Sequence, residues 1–524
     1  MKIKNTIIYV VVMFILFGCY EDKGNYDYKE INEIEISGIQ MNSYIRHYGD
    51  TLQIKPELKF SGDTARNLKF TWLLNMNEVI GTAKDLTYVI SDTLSSNEHL
   101  LFCIEDVDTG YKVQSEGVSL SLSSHFQSGW LVLSERENKS CLDFFNRNLV
   151  DEEESTYELK EYYNIFRESE KFDLGDEPVC LHEHWRDGNN DPGHVLVVQG
   201  GKNTCLDLYG NTLRLSQNTA DEFITLPENF NPKDVLFAQN YSYILNNDGK
   251  LFARRNYLKS AYYSGRFSNY PVGFKDNDKF TELNVDRFVY DIDYIDTHFI
   301  LVYEKEKKRF LALSDFIHYN DLNTVGSIIS IESDCYTGDQ IRLHNTGDNK
   351  LIFTGGCDSQ GYSCTRLYNI YKTKDGNYVD QQMDISINQY SASVTVDIKD
   401  VKQRYFPVGY INDNIIVNLP DGGNGNGSTN VFFANGNKIY YYSRVAKDIE
   451  INEFYTFESD VVAMDDVHWD NSRLCVGLSN GQLLIMNISN KALGDKSVER
   501  VLHKSSRELG KIKQVIYKKG SFAM

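Results

Sequence analysis

Val431-Phe432-Phe433-Ala434-Asn435-Gly436-Asn437-Lys438-Ile439-Tyr440-Tyr441-Tyr442-Ser443 reads as two apolar strands joined by a polar turn. Aromatic and β-branched residues fill both runs, and Asn435-Gly436-Asn437 tolerates the left-handed backbone that a tight hairpin needs. The same unit recurs along the chain. Upstream copies begin at Trp130 (WLVLSERENKSCLDFF), Val195 (VLVVQGGKNTCLDL), Tyr243 (YILNNDGKLFAR), Ile300 (ILVYEKEKKRFLALS) and Leu351 (LIFTGGCDSQGYSCTRLYNIY). A last copy begins at Leu474 (LCVGLSNGQLLIMN), which makes seven hairpins, with Asn247-Asp248-Gly249 and Ser479-Asn480-Gly481 as further turn signals.

Repeated hairpins without covalent staples need a geometry that hides sheet edges, and radial repetition supplies one. Residues 125–524 are therefore expected to form a β-propeller-like domain of about seven blades. The spacing is roughly 57 residues per hairpin against ~40–50 for an ordinary blade, so long loops are expected at 147–178, 255–290 and 373–430. Asp421–Thr429 (DGGNGNGST) reads as a flexible loop and Asp151-Glu152-Glu153-Glu154 as a solvated acidic run. One helix is expected within 156–170.

Ahead of the repeats, residues 30–124 carry short alternating runs: Ile34–Ile36, Leu52–Ile54, Leu68–Leu73, Leu101–Ile104 and Val118–Leu122. Turn signals at 48–50, 61–63 and 108–110 separate them, which predicts a β-sandwich of the immunoglobulin type with Trp72 in its core. The fold class expected for the whole chain is all-β.

The composition agrees. Of 524 residues, 41% are apolar, enough for real cores, and Tyr (35) and Phe (28) are abundant while Pro is only 8. The formal charge of −20 argues against nucleic acid as a partner and against docking on anionic lipid, both of which need a basic footprint.

Lys2 and Lys4 precede an eleven-residue apolar run, Ile7–Phe17, which is too short for a membrane-spanning helix of ~20 residues and fits a secretory signal. It ends in Leu16-Phe17-Gly18-Cys19, similar to a bacterial lipobox. The expectation is a lipoprotein signal over 1–18, cleavage before Cys19, lipidation of Cys19 as the membrane anchor, and a polar tether over 19–29. Eight further cysteines include no CxxC pair, which removes zinc ribbons and thioredoxin-like redox sites. Cys357 and Cys364 flank a turn and are read either as a disulfide or as two small buried thiols.

The start Cys19-Tyr20-Glu21-Asp22-Lys23-Gly24-Asn25-Tyr26-Asp27-Tyr28 and the junction Ser128-Gly129-Trp130-Leu131-Val132-Leu133-Ser134-Glu135 resemble Bacteroidetes PKD-like family lipoproteins. The acidic pair after Cys19 looks like the surface-export signal of that phylum. The resemblance implies a PKD-like sandwich, a propeller-like region, and an outer-membrane, cell-surface location. It also implies association with a nutrient-uptake system of the starch-utilisation type, meaning a TonB-dependent transporter and its lid lipoprotein. It carries over no catalytic residue. Asp50-Thr51-Leu52, Asp63-Thr64-Ala65 and Asp92-Thr93-Leu94 are similar to the phylum's O-glycosylation sequon.

Chemistry is sparser. His182-Glu183-His184 would place both imidazoles on one strand face, with His194 near in sequence, but no third ligand is fixed and the turn formers at 186–193 read as an exposed loop. No metal or cofactor is expected. Glu105–Gly110 holds carboxylates but lacks the bidentate Glu of a calcium loop and reads as a hairpin turn. Asp465-Asp466 beside His468-Trp469 is a candidate acidic cluster, which surface turns explain as well. No nucleophile elbow, P-loop or dinucleotide fingerprint occurs, and Gly355-Gly356 reads as hairpin backbone. Aromatic side chains bury the flat faces of sugars, which makes Trp185, Tyr262, Tyr263 and Trp469 the candidate ligand-binding residues. The leading expectation is non-catalytic capture of a glycan, glycopeptide or peptide, or service as an accessory subunit of an uptake system. The alternative is a propeller hydrolase or lyase with acidic residues at its central funnel.

Overall fold

The computed structural model describes residues 33–40, 43–64, 66–91, 97–151, 156–185, 193–201, 203–238, 240–256, 265–276, 279–289, 299–315, 326–331, 335–357, 364–388, 395–420, 429–467 and 470–520. Strands make up 57% and helices 4%, so the protein is all-β. It divides into two units, Met1–Ser123 and Ser124–Met524. The expected signal, the tether and Cys19 lie outside the described residues.

In the first unit each alternating run is a strand with one buried face. Val118–Ser123 alternates buried and more exposed side chains along its length, as a period of two requires. Trp72, Phe102 and Leu120 centre the core, with the Trp72 and Phe102 rings 4.5 Å apart. The indole N–H is satisfied by the carbonyls of Ala83 and Lys84, each at 3.2 Å. Glu105 and Asp106 end the strand Asn97–Asp106 and the turn follows at 107–109, where Asp106 accepts from the amides of Asp108 and Thr109 and pairs with Arg66.

Among the described residues the second unit holds seven antiparallel sheets of three or four strands in series, with a two-stranded one, Gly273–Asp276 and Lys279–Glu282, between the third and fourth. Sheets two to seven are meanders in chain order. Their first strands are Asp176–His184, Pro232–Phe237, Arg287–Val289, Lys350–Cys357, Ile416–Asn418 and Val461–Val467. Sheet one differs, because Gly129–Arg136, Lys139–Asp151 and Thr156–Tyr162 are joined by the last strand of the chain, Lys511–Lys518.

Each of the seven sequence hairpins falls in a different sheet, usually as its second and third strands; in sheet five it is the first and second. These strands read as continuous apolar runs because neighbouring residues enter opposite core layers. Val197 lies in the layer between sheets one and two, and Val198 in the layer between two and three. Val302 and Tyr303 split likewise between the layers on either side of sheet four. Phe433 packs with Tyr368 and Tyr442 between sheets five and six, while Phe432 packs with Val476 and Met486 between six and seven. A further layer joins sheet seven to sheet one, with Cys475 and Ile485 against Trp130, Val132, Ile512 and Val515.

Two expectations change. The 373–430 segment is not one long loop: it contains the eleven-residue strands Tyr378–Asn388 and Thr395–Tyr405, which complete sheet five. Their polar residues alternate with the buried Met383, Ile385, Val396 and Ile398, so their apolar content is diluted. In 156–170 only Ile165–Glu170 is helical; Thr156–Tyr162 pairs with Lys139–Asp151 as a strand.

A chain ending at Gly510 loses the pairing with Gly129–Arg136 and leaves Trp130 and Val132 partly uncovered. Its melting midpoint should fall by more than about 5 °C in a thermal scan; an unchanged midpoint would mean that the last strand contributes nothing to the unit.

Candidate functional site

The first strands of sheets two to five lie beside one another in turn, as do those of sheets six and seven, and Lys511–Lys518 runs between Asp176–His184 and Val461–Val467. A cavity of about 620 Å³ opens where they converge. Residues of sheets two, three, five, six and seven and of the last strand line it. Trp185, Tyr517 and Phe353 supply rings, Asn418, Lys513 and Lys519 supply donors, and Glu183, Asp465 and Asp466 supply carboxylates.

The carboxylates have structural partners. Glu183 accepts the amides of Lys519 (2.8 Å) and Gly520 (3.2 Å), and the Lys518 ammonium lies 3.5 Å away. Asp465 accepts the Tyr517 amide at 2.6 Å. The Leu181 amide donates to the Gln514 side chain at 2.6 Å. The end of the chain is thus tied to the first strands of sheets two and seven as well as to sheet one. Asp466, fully buried, accepts from Asn418 at 3.0 Å.

Burial, with the neighbouring Glu183 charge adding to it, raises Asp465 to about 7 against the opposing Tyr517 amide. Glu183 is also raised by burial, opposed by Lys518 and the two amides. Gly355 and Gly356 line the wall, and a Cβ on Gly355 would stand 3.0 Å from the Phe353 ring, so the missing side chain keeps room beside that ring.

Trp185 is placed in this wall. It follows the strand end at His184 and lies against Gly193, whose φ of +71° and whose missing Cβ (it would meet the indole at 2.8 Å) both require glycine. Tyr262, Tyr263 and Trp469 lie outside the described residues, as does His468. Cys357 and Cys364 sit on paired strands with Cys357 opposite Arg366, and their side chains lie outside the described ones. Asp465 and Asp466 are not surface turn residues but part of the strand Val461–Val467.

The reading of His182-Glu183-His184 as an exposed loop is overturned. All three end the strand Asp176–His184, with both imidazoles buried, because the turn formers begin only after Trp185. His182 is lowered to about 3 by burial, with His184 beside it. His184 faces His194 directly across the strand pair, and Asp207 lies on the same sheet face. Asp207 was missed, although a lone carboxylate in the apolar strand Cys205-Leu206-Asp207-Leu208 is a legible signal. Burial penalises its charge, but the hydrogen bond with His194 and the nearby His184 imidazole hold it well below the usual carboxylate range. Beside this group Glu222 pairs with Arg254, which lies over the rings of Phe237 and Phe267.

Residues 19–170 match the model of the PKD-like family. No curated protein matches the chain. Among solved structures, the crystal structure of Citrobacter koseri AztD is similar at 8% identity and a TM-score of 0.36, covering 80% of this chain and 94% of that one. Apo AztD from Citrobacter koseri follows at 9% identity and 0.34, with the same coverage. Prp20p from Saccharomyces cerevisiae follows at 10% and 0.33, covering 75% and 86%.

A raised carboxyl binds its proton more tightly in the folded state. Asp465 therefore contributes stability that is fully present below its unfolded value and is lost as pH rises through about 7. Asp465→Asn keeps an acceptor for the Tyr517 amide and removes the titration. Calorimetry from about pH 4 to 8 should show the variant's melting midpoint rising relative to wild type as pH rises; parallel profiles would refute the assignment.

Proposed function

We propose that the protein is a cell-surface lipoprotein, anchored in the outer membrane through Cys19, that captures a glycan, glycopeptide or peptide without chemical change. In this reading residues 124–524 are a closed seven-bladed propeller. Three features support closure: the seven sheets in series, the last strand completing the first sheet, and the core layer between sheets seven and one. The central cavity is the capture site, and its volume falls within the ~300–1,000 Å³ usual for ligand pockets.

The observation that carries capture is the lining. Trp185 and Tyr517 stand with Asn418, Lys513 and Lys519 around one space, a set suited to stacking on sugar or peptide planes and bonding their polar groups. Asp465 holds a backbone amide of the last strand and Glu183 holds the two just past its end, which is a structural employment for both. The wider setting of the reading is an outer-membrane nutrient-uptake system, with a TonB-dependent transporter and its lid lipoprotein as partners.

A hydrolase or lyase remains the second reading, favoured by one observation: Asp465, raised to about 7, lies close enough to Glu183 to feel its charge. One experiment separates the two. The purified protein is incubated with a panel of glycans, glycopeptides and peptides, and the recovered ligand is weighed by mass spectrometry. Capture predicts a ligand recovered intact and an affinity about tenfold weaker for Trp185→Ala, equivalent to ~1.4 kcal/mol. A cleaved ligand would establish the enzyme, and no binding across the panel would leave the accessory-subunit role.

A further inference from the structure

We propose that His184, His194 and Asp207 hold a divalent transition-metal ion, zinc by preference, on the face of sheet two that packs against sheet three. The strand pairing builds the site. His184 and His194 are direct cross-strand partners between Asp176–His184 and His194–Gly200. His194 in turn faces Tyr209 on Cys205–Tyr209, so Asp207 lies diagonally from it on the same face, within reach of a side-chain contact. Three strands thereby aim three donors at one point, and the donor atoms all lie within 4.8 Å of one another.

The distances fit an ion between them. His194 Nδ1 is 2.7 Å from Asp207 Oδ1, and His184 Nε2 is 3.8 Å from Asp207 Oδ2. Bonds of ~2.0–2.2 Å to a tetrahedral zinc place donor atoms ~3.4 Å apart, which lies between those separations. Two imidazole nitrogens and one carboxylate oxygen form a donor set of borderline softness. It suits zinc, cobalt or nickel, whereas magnesium and calcium need mostly oxygen ligands.

Charge points the same way. Three side chains that are almost wholly out of water include one carboxylate, and the nearby guanidinium of Arg254 is engaged with Glu222. A divalent ion balances Asp207 where bulk water cannot. The Phe237 ring, 4.9 Å from that of His184, closes the site from sheet three. His182 stands two residues before His184 on the same strand face, its ring stacked at 6.4 Å, and it lines the central cavity.

The test uses the purified protein stripped with a chelator and titrated with zinc alone, then with cobalt. The proposal expects one equivalent of tightly bound zinc, a rise in melting temperature with zinc, and tetrahedral cobalt bands in the visible spectrum. His194→Gln and Asp207→Asn should each weaken zinc binding at least tenfold. X-ray absorption on the zinc-loaded wild type guards against variants that misfold, and it should report two imidazoles and at least one oxygen. A wild-type protein that takes up no stoichiometric zinc would overturn the proposal. So would zinc retained in both folded variants, or an absorption spectrum without two imidazoles. A hydrogen-bonded His–Asp cluster with no metal would show itself as variants that lower the melting temperature while zinc changes nothing.

Discussion

The pairing of Lys511–Lys518 with Gly129–Arg136 is the interaction on which the second unit depends. Seven sheets in series, each apolar on both faces, would leave two uncovered faces at the ends. The last strand packs there. It adds Ile512 and Val515 to the layer shared by sheets seven and one, and it supplies the partner for the edge of Gly129–Arg136. The entropic cost of joining residues so distant in sequence grows only slowly with the length between them, so the strand pairing and the core layer together can outweigh it.

The same strand organises the polar interior. Its closing residues are held from one side by Glu183 and from the other by Asp465, and Lys518, fully buried, donates to the Gln127 carbonyl at 2.7 Å. The two carboxylates sit at the wall of the cavity, so a desolvated carboxylate there is first a fastening for backbone amides. That is why a raised carboxyl in this cavity does not by itself indicate catalysis, and why the aromatic and amide groups beside it weigh more in the functional reading. The histidine and aspartate group belongs to the same sheet as Glu183 and looks into the next core layer instead of the cavity. Successive residues of one strand thus serve two different environments.

Much of the fold was legible because burial on both faces leaves a plain mark in sequence. Val195–Val198 and Val431–Phe433 are continuous apolar runs for that reason. Strands at the margins of sheets were harder to read. Ile416–Asn418 and Arg287–Val289 are three residues long, and Tyr378–Asn388, although inside its sheet, was obscured by a polar residue at nearly every second position. The site was legible only in part. Trp185 and the Asp465-Asp466 pair were found by residue type, but periodicity alone cannot tell that strands so distant in sequence converge. His182 and His184 were misread because polar turn formers follow Trp185 and made the whole patch look exposed.

By this pairing the last strand is an integral part of the first sheet in solution. Native-state hydrogen exchange on the intact protein measures this directly. Inter-strand amides of Lys511–Lys518 and Gly129–Arg136 should exchange as slowly as those of His194–Gly200 and Asn430–Asn435, through global unfolding. Exchange of the 511–518 amides that is faster by orders of magnitude, as in a frayed edge, would contradict it.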